Sequence, residues 1–540
     1  MKKLKFLLLT VLVVIFAFQS IACNDAQGEA YDAPHMNDRV YERIDEEAFN
    51  ALIEKIYELV EVDGKRYELK QARDEFFSEY YNKAFTMNTL ASINYDKDAT
   101  SEYWQEESVW ALNFAQNMQN TALEVEKAIF GSEFYGEYFT RLHGEEYAES
   151  IFVSEVESEE QLALSAQIAA LEADYNVLYA AGKTNALYDT YIQLVNLRNE
   201  YARTKKDEEG NPYKNYMDYA YANVYSREYT PDEVSEFRAA ILKNFKSLKN
   251  SLQDVMYDYT ADGSLLQSEI VAYLPYIIKN TIPEMLSSWN YMMNKGLYDF
   301  EISSTKANTS YVTTFYEFGD AYMFVNTSGS VISDLSTIIH EFGHYNEKFM
   351  AKEELEDPRG VRSYDLAETH SQAFELITLP NVKKLIDNNY GFVENLYETY
   401  AFNLFYNSVW AVLSNCVFDE FEYNMYNADP EELTTSFIKS SFSSAWRKYW
   451  GGSVPDFYQV PHLFVSPAYC ISYAVSLIFS AEIWASEEPV KNYLTAVEYG
   501  SYNYLSTVYT AMGLESPLTP ATVETVANAF TSYVNEYILG

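Results

Sequence analysis

Asp334-Leu335-Ser336-Thr337-Ile338-Ile339-His340-Glu341-Phe342-Gly343-His344 decides how this chain is read. Leu335, Ile338 and Ile339 give an apolar side at helical spacing, and Ser333-Asp334 offers a cap for the helix start. On that helix His340 and His344 lie one turn apart on one face, so both imidazoles can reach a single metal ion. Glu341 falls beside them, where its carboxylate can take a proton from an attacking water. Zinc suits the pair, because it polarises a carbonyl and makes water more acidic without redox chemistry. Such five-residue patterns also arise by chance. Ile338-Ile339 ahead of this one, and Gly343 leaving room for close helix packing, favour the metal reading.

A third ligand must come from elsewhere. The pattern that continues with glycine and then histidine is excluded, because Glu347 and Met350 occupy those positions. A glutamate on a following helix is the other common solution, and Tyr364-Asp365-Leu366-Ala367-Glu368-Thr369-His370-Ser371-Gln372-Ala373-Phe374-Glu375 offers one. Glu368 leaves space after His344 for a loop and a return helix. Glu375, two turns further along the same face, is a candidate to orient a ligand histidine from behind. The plain alternative for Glu375 is a surface or capping carboxylate. His370 faces the other side of that helix. Near the C-terminus, Val460-Pro461-His462-Leu463-Phe464-Val465-Ser466-Pro467-Ala468-Tyr469-Cys470-Ile471-Ser472-Tyr473-Ala474 brings a histidine and two phenols together, with Tyr469 and Tyr473 one helical turn apart. These groups supply donors for an oxyanion. Aromatic residues at this spacing also build ordinary cores.

These three segments together, in this order, resemble the thimet oligopeptidase and oligoendopeptidase F family of zinc peptidases, and the oligoendopeptidase F branch most. A weaker likeness runs from Leu197-Arg198-Asn199-Glu200 through Tyr213 to Phe237, so the resemblance covers about residues 195–490. Residues 40–190 add only helical character. The resemblance implies one zinc ion held by His340, His344 and Glu368, with Glu341 as general base and proton shuttle. It implies that His462, Tyr469 and Tyr473 bind substrate and stabilise the tetrahedral intermediate. It makes residues 321–326 an edge strand pairing with substrate backbone, which puts Phe324, Val325 and Asn326 on the substrate. The implied fold is mainly α: an elongated helical shell around a deep channel, with a small β-sheet next to the active-site helices. The implied activity is hydrolysis of internal bonds in short unfolded peptides by metal-activated water. Many members carry histidine where Glu347 stands, so an altered cleft charge is expected. Two alternatives are an angiotensin-converting-type carboxypeptidase and a catalytically inactive peptide-binding surface lipoprotein. The second has no need for Glu341.

The remaining sequence sets the context. Of 540 residues, 48% are hydrophobic and 22% charged, the balance of a globular chain. A formal net charge of -42 repels nucleic acid and anionic membranes. Tyrosine occurs 50 times, which by itself reads as a compositional habit. Lys2, Lys3 and Lys5, an apolar run to Phe18, and Ser20-Ile21-Ala22 form a signal peptide over residues 1–22. Cys23 then stands where a bacterial lipoprotein is lipidated, although Ser20 replaces the usual aliphatic residue. The expected localisation is export, anchored to a membrane through Cys23 or otherwise secreted. A tether over 23–39, a helical region over 40–205 and a catalytic region over 206–540 complete the division. Cys416 and Cys470 read as buried free thiols. Leu164 to Leu178 and Leu187 to Tyr201 form an antiparallel helix pair broken at Gly182, and Thr230-Pro231-Asp232-Glu233 is a helix start. The one clear strand is Ala321 to Asn326.

Overall fold

The computed structural model describes residues 33–153, 158–207, 209–350 and 363–540. The signal peptide expected over residues 1–22, and Cys23, lie outside the described residues. Among the described residues no helix is long and apolar enough to cross a membrane. Across the described residues the chain is mostly helical, with one three-stranded sheet, and it forms two compact units.

The first unit takes residues 33–153 and 263–350 of the described chain. Its sheet consists of β1 (Tyr298–Asp299), β2 (Tyr311–Phe315) and β3 (Asp320–Phe324), in the order β1-β3-β2. β3 therefore lies in the middle, parallel to β1 and antiparallel to β2. This corrects the expectation of an edge strand over 321–326. Phe324 and Val325 are fully buried, the Val325 amide donates to the Asp299 carbonyl at 3.0 Å, and the Asn326 amide donates to Ser310 Oγ at 3.0 Å. All three residues are already engaged within the sheet and its margin, so none is a free pairing surface. The five-residue run is buried throughout because both of its faces are covered, and its one charge, Asp320, is paired with Arg39.

Residues 33–39, read as part of a tether, are instead packed on this unit. The helix Leu286–Lys295 ends at Gly296, whose φ is +67°. A side chain there would be strained, and its Cβ would come within 2.7 Å of the His35 ring. Arg39 donates to both carboxylate oxygens of Asp320 at 2.8 and 2.6 Å, and its guanidinium lies over the rings of Phe315 and Phe318. Both charged groups are wholly shielded from water.

The second unit takes residues 158–262 and 363–540. Helices α1 (Glu159–Ala180) and α2 (Thr184–Arg203) form the expected pair, turned at Gly182. Thr230 caps the helix Pro231–Asp254 with a reciprocal Glu233 contact, as expected. Cys416 and Cys470 are buried free thiols. In chain order the helices that carry the rest of the fold's logic are α3 (Val331–Met350, in the first unit), α4 (Thr369–Tyr390), α5 (Leu396–Asn427) and α6 (Ile471–Ala485). α6 packs against both α4 and α5.

The segment just before α6 is held in an unusual shape. Ala468 has φ +64°, a left-handed conformation that costs an L-residue roughly 1–2 kcal/mol. Its amide donates to Glu422 Oε1 of α5 at 2.9 Å, and its carbonyl accepts from Arg227 at 2.9 Å. Burial pushes the Glu422 carboxyl up to about 8, so near neutral pH it is mostly protonated and still offers an acceptor.

Two outcomes follow. Replacing Arg39 by leucine leaves Asp320 buried without its cation, so the midpoint of urea unfolding should fall by the equivalent of about 3–5 kcal/mol. For Glu422 the folded state holds the proton more tightly than the unfolded chain. Its contribution therefore declines as pH rises from the ordinary carboxyl range, near 4.5, to about 8. Glu422→Gln keeps an acceptor and cannot ionise. Stability measured against pH should lose one proton's worth of slope across that window, and an unchanged slope would refute the assignment.

Candidate active site

α3 begins on a serine turn. Ser330 Oγ accepts the Ser333 amide at 3.0 Å, while the Asp334 carboxylate accepts from Ser328 and Gly329 just before the helix. The cap is therefore Ser330 and not Ser333-Asp334. Asp334 instead secures the chain that enters the helix, and its negative charge also suits the positive end of the helix dipole. Leu335, Ile338, Ile339 and Phe342 are buried, with Phe342 edge-on to Trp289 at 5.8 Å between ring centroids. This anchors one face of α3. His340 and His344 are half-buried, one turn apart, with ring centroids separated by 5.0 Å. Glu341 is buried beside them. Glu347, expected to charge a cleft, is buried too, with Lys348 at 3.0 Å from its carboxylate.

Glu368 is the residue immediately before α4 and not on the helix itself, and its side chain makes no capping bond to the helix start. The Ser371 hydroxyl lies 3.1 Å from its carboxylate and 3.0 Å from its carbonyl, which orients the side chain. One ligand atom each from His340, His344 and Glu368 lies within 4.8 Å of the other two. Two imidazoles and a carboxylate are the donors of a catalytic zinc site, which leaves a coordination position open. The donor set fits the expected ion. Glu375 is buried on α4, so the surface-carboxylate reading does not hold. His370 is buried on the other side, with Nε2 3.2 Å from the Ala496 carbonyl, as its position on the helix predicted.

His462, Tyr469 and Tyr473 come together. Tyr469 stacks on His462 at 5.6 Å, and Tyr473 stands edge-on to both, at 5.9 Å from His462 and 5.1 Å from Tyr469. Burial lowers the His462 pKa, so the ring favours its neutral form. Tyr469 is pushed well up by burial, then by Tyr473 and Glu368. Tyr473 is pushed up by burial and then by Glu368. Both phenols keep their protons and can donate hydrogen bonds.

The segments carrying Glu368 and Tyr473 are tied together by a ladder of serines on one face of α6. Ser472 Oγ donates to the Asp365 carboxylate at 2.6 Å, Ser476 Oγ to the Asp365 carbonyl at 2.5 Å, and Ser480 Oγ to the Thr369 carbonyl at 3.2 Å. The residues on either side of Glu368 are thus fixed to the helix that bears Tyr473. Sequence reading missed Ser371, Asp365, Arg227 and this ladder. The four-residue spacing of Ser472, Ser476 and Ser480 in a largely apolar helix was the available signal.

Residues 281–527 match the model of Peptidase family M3. No curated protein sequence matches the chain. Among solved structures, one described as an oligoendopeptidase F from Bacillus anthracis str. Ames is similar at a TM-score of 0.69 and 19% identity, covering 93% of this chain and 98% of that one. PZ peptidase A with an inhibitor is similar at 0.70 and 17% identity, covering 93% and 99%. Oligoendopeptidase-F from Enterococcus faecium is similar at 0.51 and 16% identity, covering 91% and 98%. At these identities the likeness is one of fold. The family match spans the histidine pair, Glu368 and the His462–Tyr473 cluster, so residues 281–527 of this chain are similar to Peptidase family M3 across the whole candidate site.

Proposed function

We propose that the chain is a zinc endopeptidase that cuts internal bonds of short unfolded peptides. The observation that carries this reading is the convergence of His340, His344 and Glu368, with Glu341 next to the first ligand. Zinc bound there would supply Lewis acidity to the scissile carbonyl and to the attacking water. Glu341 takes the proton of that water and passes it to the leaving nitrogen. Tyr469 and Tyr473 hold their protons across the neutral range and donate to the oxygen that gains charge. His462, favoured as the neutral ring by burial, orients substrate through a hydrogen bond. Cleavage within the peptide, as opposed to trimming from its end, follows from the likeness of the three motifs to the oligoendopeptidase F branch. Residues 1–23 support export, with Cys23 as the anchor, so the substrates would be peptides outside the cytoplasm.

The test pairs metal content with cleavage. Wild-type protein should carry one zinc per chain and cut internally quenched peptides blocked at both ends. Glu341→Gln should keep the zinc and lose about 10²–10⁴-fold in kcat/KM. His340→Ala should lose zinc and activity together. A wild type that cleaves nothing when metal-replete sinks the enzyme reading. Stepwise loss of residues from unblocked C-termini, with blocked peptides untouched, points to a carboxypeptidase.

A further inference from the structure

Arg227 lies outside the motifs yet is fully buried. Its Nη1 donates to the Ala468 carbonyl at 2.9 Å, and Nη2 donates to Ser472 Oγ at 2.8 Å and lies 3.4 Å from the Tyr469 carbonyl. Its Nε is 3.5 Å from Asp365. The guanidinium is enclosed by tyrosine rings, with Tyr221 at 4.2 Å and Tyr225 at 4.7 Å from its carbon. Tyr225 in turn packs against Tyr469 at 5.7 Å, and its hydroxyl donates to the Pro467 carbonyl at 2.7 Å. Asp365 is held from the other side by the Tyr229 hydroxyl at 2.8 Å. Ser472 accepts from Arg227 and donates to Asp365, so these three groups form one closed chain of contacts.

The two ends of this chain matter chemically. At one end the left-handed Ala468 aims the next residue, Tyr469. At the other, Asp365 sits three residues ahead of Glu368. A planar cation with donors on two edges can hold both at once, and a lysine ammonium on a flexible stem cannot reproduce that fork. We propose that Arg227 is a positioning residue that sets the placement of the Tyr469 and Tyr473 hydroxyls relative to the Glu368 carboxylate. The proposal rests on the zinc peptidase reading above and adds a requirement to it: ligand and oxyanion donors must be set by one shared contact.

The deciding variant is Arg227→Lys, which keeps the charge and loses the fork. Zinc affinity, measured by competition with a chelator, should weaken about 10–100-fold, as for other groups that orient a metal ligand from behind. With zinc saturating, kcat should fall by a similar factor while KM moves less than about threefold, because donors aimed at the transition state are displaced and ground-state binding is not. A merely structural arginine would lower the melting temperature and leave both quantities intact in the folded protein. Folded Arg227→Lys with zinc affinity and kcat within about twofold of wild type overturns the proposal. Should that variant not fold, Ser472→Ala removes one hydroxyl from the same chain of contacts. It should lower kcat about tenfold and weaken zinc in the same direction, and wild-type values there overturn the proposal equally. Glu341→Gln, run alongside, separates the two readings. Undiminished cleavage in that variant defeats the proposed function, while the chelator measurement still judges Arg227 by itself.

Discussion

A short helix such as His462–Val465, and the turn that follows it, leave carbonyls that must find donors when buried. Between Leu463 and Tyr469 two buried guanidiniums meet that need. Arg198 reaches the carbonyls of Leu463 and Phe464, and Arg227 those of Ala468 and Tyr469. Each cation also has a carboxylate, Glu172 for Arg198 at 2.7 Å and Asp365 for Arg227. Desolvating a guanidinium costs several kcal/mol, so it persists only where the geometry serves several donors together. The candidate oxyanion donors depend on this arrangement, because His462 and Tyr469 lie at the two ends of the turn that the arginines hold.

The abundance of tyrosine takes on a specific meaning around these cations. Tyr221, Tyr225 and Tyr229 come from one short stretch and all surround Arg227. Their rings cover the cation's faces, and their hydroxyls continue outward to Asp419, Pro467 and Asp365. Tyrosine does both jobs in one side chain, which phenylalanine cannot do. What reads as a compositional habit along the sequence is, at this place, a polar network built with aromatic side chains.

The parts of the fold that repeat locally were legible. The α1–α2 pair, the Thr230 cap, the helix of His340 and His344 and the decoy position of His370 follow from spacing within a dozen residues, and the structure has them. The parts set by pairing at a distance were not. Whether residues 321–326 form an edge or a central strand depends on β1, a two-residue strand too short to announce itself. The docking of residues 33–39 depends on Gly296 and Asp320, over 250 positions away. Arg227 carries no motif of its own, and Asp365, though inside the Glu368 segment, has no role to read there, because that role exists only once three segments meet.

The serine ladder shows what such long-range contacts achieve. Ser472, Ser476 and Ser480 sit one turn apart on α6 and reach the chain at Asp365 and Thr369. Glu368 lies between those two anchors, and Ser371 braces its carboxylate from within α4. Tyr473 projects from the same α6, one residue after the first rung. A ligand and a proton donor placed on independent loops would drift relative to each other by more than catalysis tolerates, which is about half an ångström. Fastening the loop of the one to the helix of the other removes that freedom. Hydroxyls suit the task because each rung can donate to an oxygen of Asp365 or Thr369 near the start of α4, and a serine is small enough to let the two helices approach.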